Sequence, residues 1–321
     1  MSDLLIKCNV CGAVQDEEDL FCSECGTEVP RRAEQSEEQH TRQSTHNFIC
    51  QGCGASMSYD AHAGALRCPF CGSESLAAQE DSTEILPRWV IPFFSDRAQA
   101  EAALRAWLRK GIWRPGDLSE QALVVAMQPV LIPYWVFAAE THTYWTADTS
   151  DVPWSASGTW RPIAGEHRGS YESVLVGTSS ALTPAEMQAL GEYNLDQAQP
   201  PDKVKLDDFT SERFVVPRKY ARPLARQGLE ARERAACARY VPGNQRNLKV
   251  NVRIVELTSY PILAPVWIMA YRYRDQVYRF LCNGQTGIST GKAPLSYKKI
   301  GLAIALLFVL IGIIVAFMLL N

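Results

Sequence analysis

The chain lacks three motifs that would place it in common enzyme classes. A G-x-x-x-x-G-K-[ST] loop, a G-x-G-x-x-G turn and an H-E-x-x-H helix are all missing. Their absence speaks against P-loop nucleotide hydrolysis, dinucleotide binding and zincin-type proteolysis. Positive charge is scarce at the front: residues 1–81 hold five Lys and Arg against fourteen Asp and Glu, −9 within a whole-chain charge of −3. A module that grips nucleic acid needs Lys and Arg to displace phosphate counterions, so nucleic acid is a poor partner for this segment. The opening MSDLLIKCNVCG has too short an apolar run for a signal peptide. Residues 31–47 lack any large apolar side chain and are expected to form a flexible linker, as are residues 75–87. At the far end, Ile300–Leu320 lacks charge altogether.

That uncharged run is 21 residues long, and as a helix it reaches about 31 Å, the thickness of a bilayer's hydrocarbon core. A transmembrane helix over 300–320 is expected. Lys292, Lys298 and Lys299 precede it and only Asn321 follows, so the bulk of the chain belongs in the cytoplasm, beneath an inner membrane. Gly312 and Ala316 sit at the spacing that lets such helices approach one another, as in a homodimer, although lipid-facing small residues are the commoner outcome.

Eight of the ten cysteines fall into four C-x-x-C-G units: Cys8 and Cys11, Cys22 and Cys25, Cys50 and Cys53, Cys68 and Cys71. In a reducing compartment these read as metal thiolates rather than disulfides. Each unit aims two sulfurs at one point, and the trailing glycine lets the backbone curl beneath the metal. Paired in order, the units give two four-thiolate sets that suit two structural zinc ions; iron in a rubredoxin-like site would use the same ligands. Zinc ribbons are therefore expected over 1–30 and 48–74. His40, His46 and His62 read as solvated, because both ligand sets are already complete.

Residues 88–298 read as an α+β body with mostly antiparallel sheets. Ser95-Asp96 caps a helix running to about Arg109. Val130–Ala139 and Thr141–Thr146 read as strands, and Gly165–Val176 as a strand pair. Thr183-Pro-Ala-Glu186 starts a helix, Leu224–Tyr240 forms another, and the chain turns as a hairpin around Asp275-Gln276. The pattern L-x-P-x-W-x-x-A occurs at Leu131–Ala138 and again at Leu263–Ala270, which suggests a duplicated unit. His142 and His167, with Glu140, Glu166 and Glu172 nearby, read as partly exposed strand residues rather than a catalytic set. Cys237 and Cys282 read as packing residues. The eleven basic residues from Arg213 to Arg253 read as a solvated face, with anionic lipid headgroups as its functional partner.

Residues Phe48–Gly72, Ile91-Pro-Phe93, Leu131–Trp135, Leu263–Trp267 and Tyr278–Gly287 before an apolar tail resemble bacterial zinc-ribbon, tail-anchored membrane proteins. Members are often labelled TFIIB-type zinc-ribbon proteins or relatives of the primosomal replication-restart helicase. The helicase label rests on the ribbon, since no Walker A motif occurs here. The resemblance implies company with membrane-stress proteins. Together these readings predict no enzyme but an adaptor that displays two zinc ribbons to the cytosol and recruits cytosolic or membrane-associated proteins. The alternative is a membrane-tethered nucleic-acid-binding or regulatory protein using residues 213–253.

Overall fold

A computed structural model describes residues 6–15, 21–22, 24–27, 41–44, 47–58, 67–79, 82–155, 158–206 and 209–320. Strands β1 (Ile6–Lys7) and β2 (Val14–Gln15) frame the first cysteine module, and β3 (Thr41–Ser44) follows. The second module contributes β4 (Asn47–Cys50), β5 (Ser56–Ser58) and β6 (Leu76–Gln79), before β7 (Ser82–Ile85) and β8 (Trp89–Val90). The body then runs α1 (Arg97–Arg109), α2 (Leu118–Gln121), β9 (Leu123–Thr149), β10 (Arg161–Gly177), α3 (Pro184–Ala189), β11 (Thr210–Glu212), α4 (Arg218–Ala238), β12 (Gln245–Tyr273), β13 (Gln276–Asn283) and β14 (Ser289–Gly291). The C-terminal helix α5 spans Tyr297–Leu320.

Local chemistry explains the helix boundaries. Asp96 accepts from the Gln99 N–H while the Gln99 side chain accepts from the Asp96 N–H, a capping box, and Thr183 with Glu186 repeats it at α3. Helix α4 starts six residues before the expected Leu224, with Pro223 inside it. A proline in the second turn forgoes one ladder bond, and the buried stripe Ala221, Ala225, Leu229, Glu233 and Cys237 at four-residue spacing offsets that loss.

Strands β9 and β12 are 27 and 29 residues long and pair antiparallel along nearly their whole length. The expected break near Glu140 is absent, and the expected strand pair at Gly165–Val176 is one strand, β10, paired with β9. A bulge between Tyr171 and Val174 absorbs the irregularity that a turn would otherwise have supplied.

The two L-x-P-x-W segments lie against each other, Leu131 opposite Pro265 and Pro133 opposite Leu263. Around that point the two halves repeat. Trp135 donates its indole N–H to the Val216 carbonyl (3.0 Å) two residues before α4, and Trp267 donates to the Ser95 carbonyl (3.2 Å) two residues before α1. Phe214 and Phe93 meet those two indoles edge-on, at 5.3 and 5.4 Å. Parallel β11 lies on Val130–Leu131 and parallel β8 on Ile262–Leu263. Alternation along β9 and β12 sends Trp135, Phe137, Trp267 and Met269 to one face, beneath α4 and α1 respectively. Val130, Ile132, Val136, Val266 and Ile268 point to the other face.

That second face carries the second cysteine module. Strand β5 pairs with β11 and thereby joins β4, β5 and β6 to the body's sheet. Cys50, Ala55, Met57, Cys68 and Phe70 sit in one core with Ile132, Val266 and Leu190. The polar segments expected to be linkers are paired too: Thr41–Ser44 runs antiparallel to Ser82–Ile85, and Leu76–Gln79 lies on β4. Backbone N–H and C=O groups pair without needing apolar side chains, and this overrides the compositional signal. Residues 31–40, His46, His62 and the expected turn around Asp60–Gly64 fall outside the described residues.

Helix α5 is 24 residues, about 36 Å long. It is long and apolar enough to cross a membrane, and its described apolar side chains from Leu302 to Ile314 are largely uncovered by the protein.

Candidate metal centres and the clusters around them

All four C-x-x-C-G units fold alike. In each, the first cysteine's N–H donates to the residue five positions on, and its carbonyl accepts from the glycine N–H: Cys8 with Ala13 and Gly12, Cys22 with Thr27 and Gly26, Cys50 with Ala55 and Gly54, Cys68 with Ser73 and Gly72, all within 2.7–2.9 Å. The four glycines have φ of +70°, +71°, +78° and +76°, the left-handed region that glycine enters at no steric cost. Gly54→Val is therefore expected to cost about 1–2 kcal/mol in the second module, read as faster loss of metal to a competing chelator.

The turns bring eight sulfurs into two tetrads: Cys8, Cys11, Cys22 and Cys25, and Cys50, Cys53, Cys68 and Cys71, with the sulfurs of each set within 4.8 Å of one another. Cys8 lies 3.6 Å from Cys25, Cys11 3.6 Å from Cys22, Cys50 3.5 Å from Cys71, and Cys53 3.5 Å from Cys68. A tetrahedron with bonds of about 2.3 Å to sulfur has edges of roughly 3.8 Å. The donor sets fit a metal ion and are too open for disulfides. Backbone N–H groups favour thiolates: the Cys25 N–H helps pull the Cys22 thiol down to about 6. Burial pushes Cys53 up to about 11, so the second tetrad needs a cation to hold all its sulfurs ionised.

The two centres differ in setting. The second is part of the body's core, and the joint that holds it is polar and buried. The Arg213 N–H donates to the Ser56 carbonyl (3.2 Å) and its guanidinium to the Ser56 hydroxyl (3.4 Å). Glu212 accepts from the Ser180 hydroxyl (2.7 Å), and burial holds its carboxyl above the ordinary range. The first module rests on α4 and β12: Val14 enters the core with Leu229 and Leu257, and Glu24 pairs with Arg226. A cavity of about 410 Å³ lies between them, with Cys11, Pro223, Arg253 and Ile254 in its walls.

The basic stretch from Arg213 to Arg253 is not one solvated face. Arg213 is buried, Arg226 holds Glu24 and Glu230, Arg232 holds Glu192, and Arg246 holds Asp148. Four of the eleven basic side chains are thereby buried or paired within the chain.

The two strand histidines do not converge. His142 pairs with Glu166 at 2.8 Å on an exposed face. His167 donates its Nδ1–H at 2.8 Å to Glu233, a fully buried carboxylate that also accepts from the Thr141 hydroxyl. Burial pushes the Glu233 carboxyl up, but Thr141, His167 and Tyr171 outweigh it and hold the group below the ordinary carboxylate range. Cys237, one turn further along α4, completes a His–Glu–Cys group within 4.8 Å. Sequence reasoning treated Cys237 as packing alone; the Glu233–Cys237 spacing of four was the available signal. The segment Gly287-Ile-Ser-Thr-Gly291 has G-x-S-x-G spacing, yet Ser289 opens a short strand and donates to the Gly287 carbonyl (2.8 Å), whereas a nucleophile elbow needs a strand-to-helix turn.

No family model matches the chain. No solved structure matches it either. It is similar to the Bacillus subtilis (strain 168) protein "Uncharacterized protein YdjG", 26% identical over 314 residues, across 79% of this chain and 92% of that protein.

Proposed function

We propose that the chain is a tail-anchored adaptor of the bacterial zinc-ribbon membrane family, not an enzyme, with its body on the cytoplasmic side of the inner membrane. The observation that carries this reading is α5, an apolar helix of membrane-spanning length whose described side chains find no cover in the protein. Lys292, Lys298 and Lys299 at its near end favour a cytoplasmic body. Both tetrads are closed four-thiolate sets, which suits zinc in a structural role: Cys8, Cys11, Cys22 and Cys25 would hold one ion, and Cys50, Cys53, Cys68 and Cys71 the other. When bound, the ions cross-link their knuckles and offer no open position for substrate.

Recruitment falls to the first module. The second is built into the body, so a freely tethered pair of ribbons gives way to one fixed module and one docked against α4. Val10 and Phe21, on the first module's knuckles, are 70% and 60% exposed, and the segment around them is acidic. This surface suits a basic protein partner with an apolar contact point. The test is affinity capture with detergent-solubilised full-length protein and a Val10→Asp, Phe21→Asp variant that keeps every cysteine. We expect both forms to carry two zinc ions per chain while the variant loses its partners. An identical set of captured proteins would sink the recruiting role of this module.

A further inference from the structure

We infer that the loop between α1 and α2, together with the segment entering α5, forms a collar that lies in the headgroup layer of an anionic bilayer. The inference rests on the membrane reading of α5 and adds a second, non-spanning contact.

The loop is fixed rather than loose. Gly111, at φ +116°, turns the chain out of α1. The Arg114 guanidinium stacks over the Trp107 ring at 3.7 Å and donates to the Trp107 carbonyl. Between these anchors Ile112 and Trp113 point outward, Ile112 80% exposed. Exposing two large apolar side chains at the tip of a braced turn costs free energy in water, and something must cover them.

The loop is also tied to the start of α5. The Ser296 N–H donates to the Trp113 carbonyl (2.7 Å), and the Lys299 ammonium donates to the Arg114 carbonyl (2.8 Å). Leu295 and Tyr297 are exposed beside it, so the apolar surface continues from the loop into the helix. Charge follows the same surface: Arg109, Lys110, Arg114, Lys292, Lys298 and Lys299 face only Asp117 and Glu120 within 109–120 and 292–299. Of those acids, Asp117 is occupied by the Tyr273 hydroxyl at 2.9 Å.

Depth decides the partner. If hydrocarbon begins near Ile300, Ser296 stands four residues, about 6 Å, outside it. The headgroup layer is roughly 5–8 Å deep on each side. The hydrogen bond from Ser296 therefore holds Trp113 at that layer, where Trp and Tyr are favoured. Apolar tips among basic side chains complement anionic headgroups there, and continuity with α5 makes the surface a membrane's rather than a soluble protein's.

Full-length protein in vesicles of equal parts phosphatidylcholine and phosphatidylglycerol, with bromine near the headgroup end of the acyl chains, tests this through quenching of tryptophan emission. Wild-type protein should float with the vesicles and show a quenched fraction. Trp113→Phe should lose the larger part of that fraction, while Trp154→Phe, removing a fully exposed indole elsewhere on the body, should keep it. Equal quenching in Trp113→Phe and wild type, both floating, would overturn the collar and leave the anchor standing. Wild-type protein that stays at the bottom of the gradient would overturn both.

Discussion

Cys68→Ser is expected to unfold the body, and not merely to empty one metal site. Cys68 and Cys50 are buried in the same core as Ile132, Val266 and Ile268, which belong to the longest strands of the sheet. Among the described residues strand β5 reaches that sheet through β11, so loss of the knuckles also exposes the polar joint of Arg213, Glu212 and Ser180. Structural zinc contributes about 10–16 kcal/mol in isolated fingers, against a total of roughly 5–15 kcal/mol for a domain. Even a fraction of that contribution lost is enough to unfold the chain. Near-ultraviolet circular dichroism in detergent should collapse for Cys68→Ser, with metal content falling by at least the second site. Cys22→Ser is the contrast: among the described residues the first module meets the body through Val14, the Glu24–Arg226 pair and the approach of Gly12 to Arg253, away from the core that holds Cys50 and Cys68. It should lose one metal and keep the body's melting transition. A Cys68→Ser protein with native dichroism would show the second module to be an appendage.

Glu233→Ala should destabilise the body by about 3–5 kcal/mol, the range for removing one partner of a buried pair. The carboxylate is fully buried on the core-facing stripe of α4, where it holds His167 and Thr141 together across two neighbouring strands. Its removal leaves the His167 ring short of an acceptor, leaves the Thr141 hydroxyl its 3.2 Å bond to the Gly169 carbonyl, and opens a void beside Gly169, whose missing side chain makes room for the Glu233 oxygen. The pH dependence follows from the depressed carboxyl. Proton affinity is lower in the folded state than in the unfolded one. Glu233's contribution is therefore fully present above the ordinary carboxylate range and is lost as pH falls through the depressed folded value. Denaturant midpoints of wild type and Glu233→Gln should differ at neutral pH and converge in strong acid. Parallel curves across that span would remove Glu233 as the source.

Some of this was legible in the sequence and some was not. The metal knuckles were, because a C-x-x-C-G unit is fixed by backbone geometry over six residues and needs nothing distant. Helix α1 and the start of α3 were legible for the same reason, through capping boxes that close within one turn. The apolar length of α5 was legible from composition alone. What the sequence hid was everything settled by pairing at a distance. Thr41–Ser44 and Ser82–Ile85 have tether-like composition and are nonetheless strands, because each supplies the other's hydrogen bonds. The weld between Ser56 and Arg213 joins residues 157 apart, and no local pattern encodes it. The basic run from Arg213 looked like a surface, yet its partners Glu24, Asp148 and Glu192 are scattered along the chain.

The length and pairing of β9 and β12 carry a consequence for synthesis. Leu123 lies opposite Arg272, so the first strand's outer end waits for a partner about 150 residues downstream. At about 5–20 residues per second the wait is roughly 8–30 seconds, and contacts this distant in sequence also slow folding itself. During that interval 27 residues of β9, rich in aromatic and β-branched side chains, stand as an unpaired edge. Strand β10, next off the ribosome, covers one edge of β9 from Tyr134 to Thr149, and the opposite edge stays open to neighbouring nascent chains until β12 emerges.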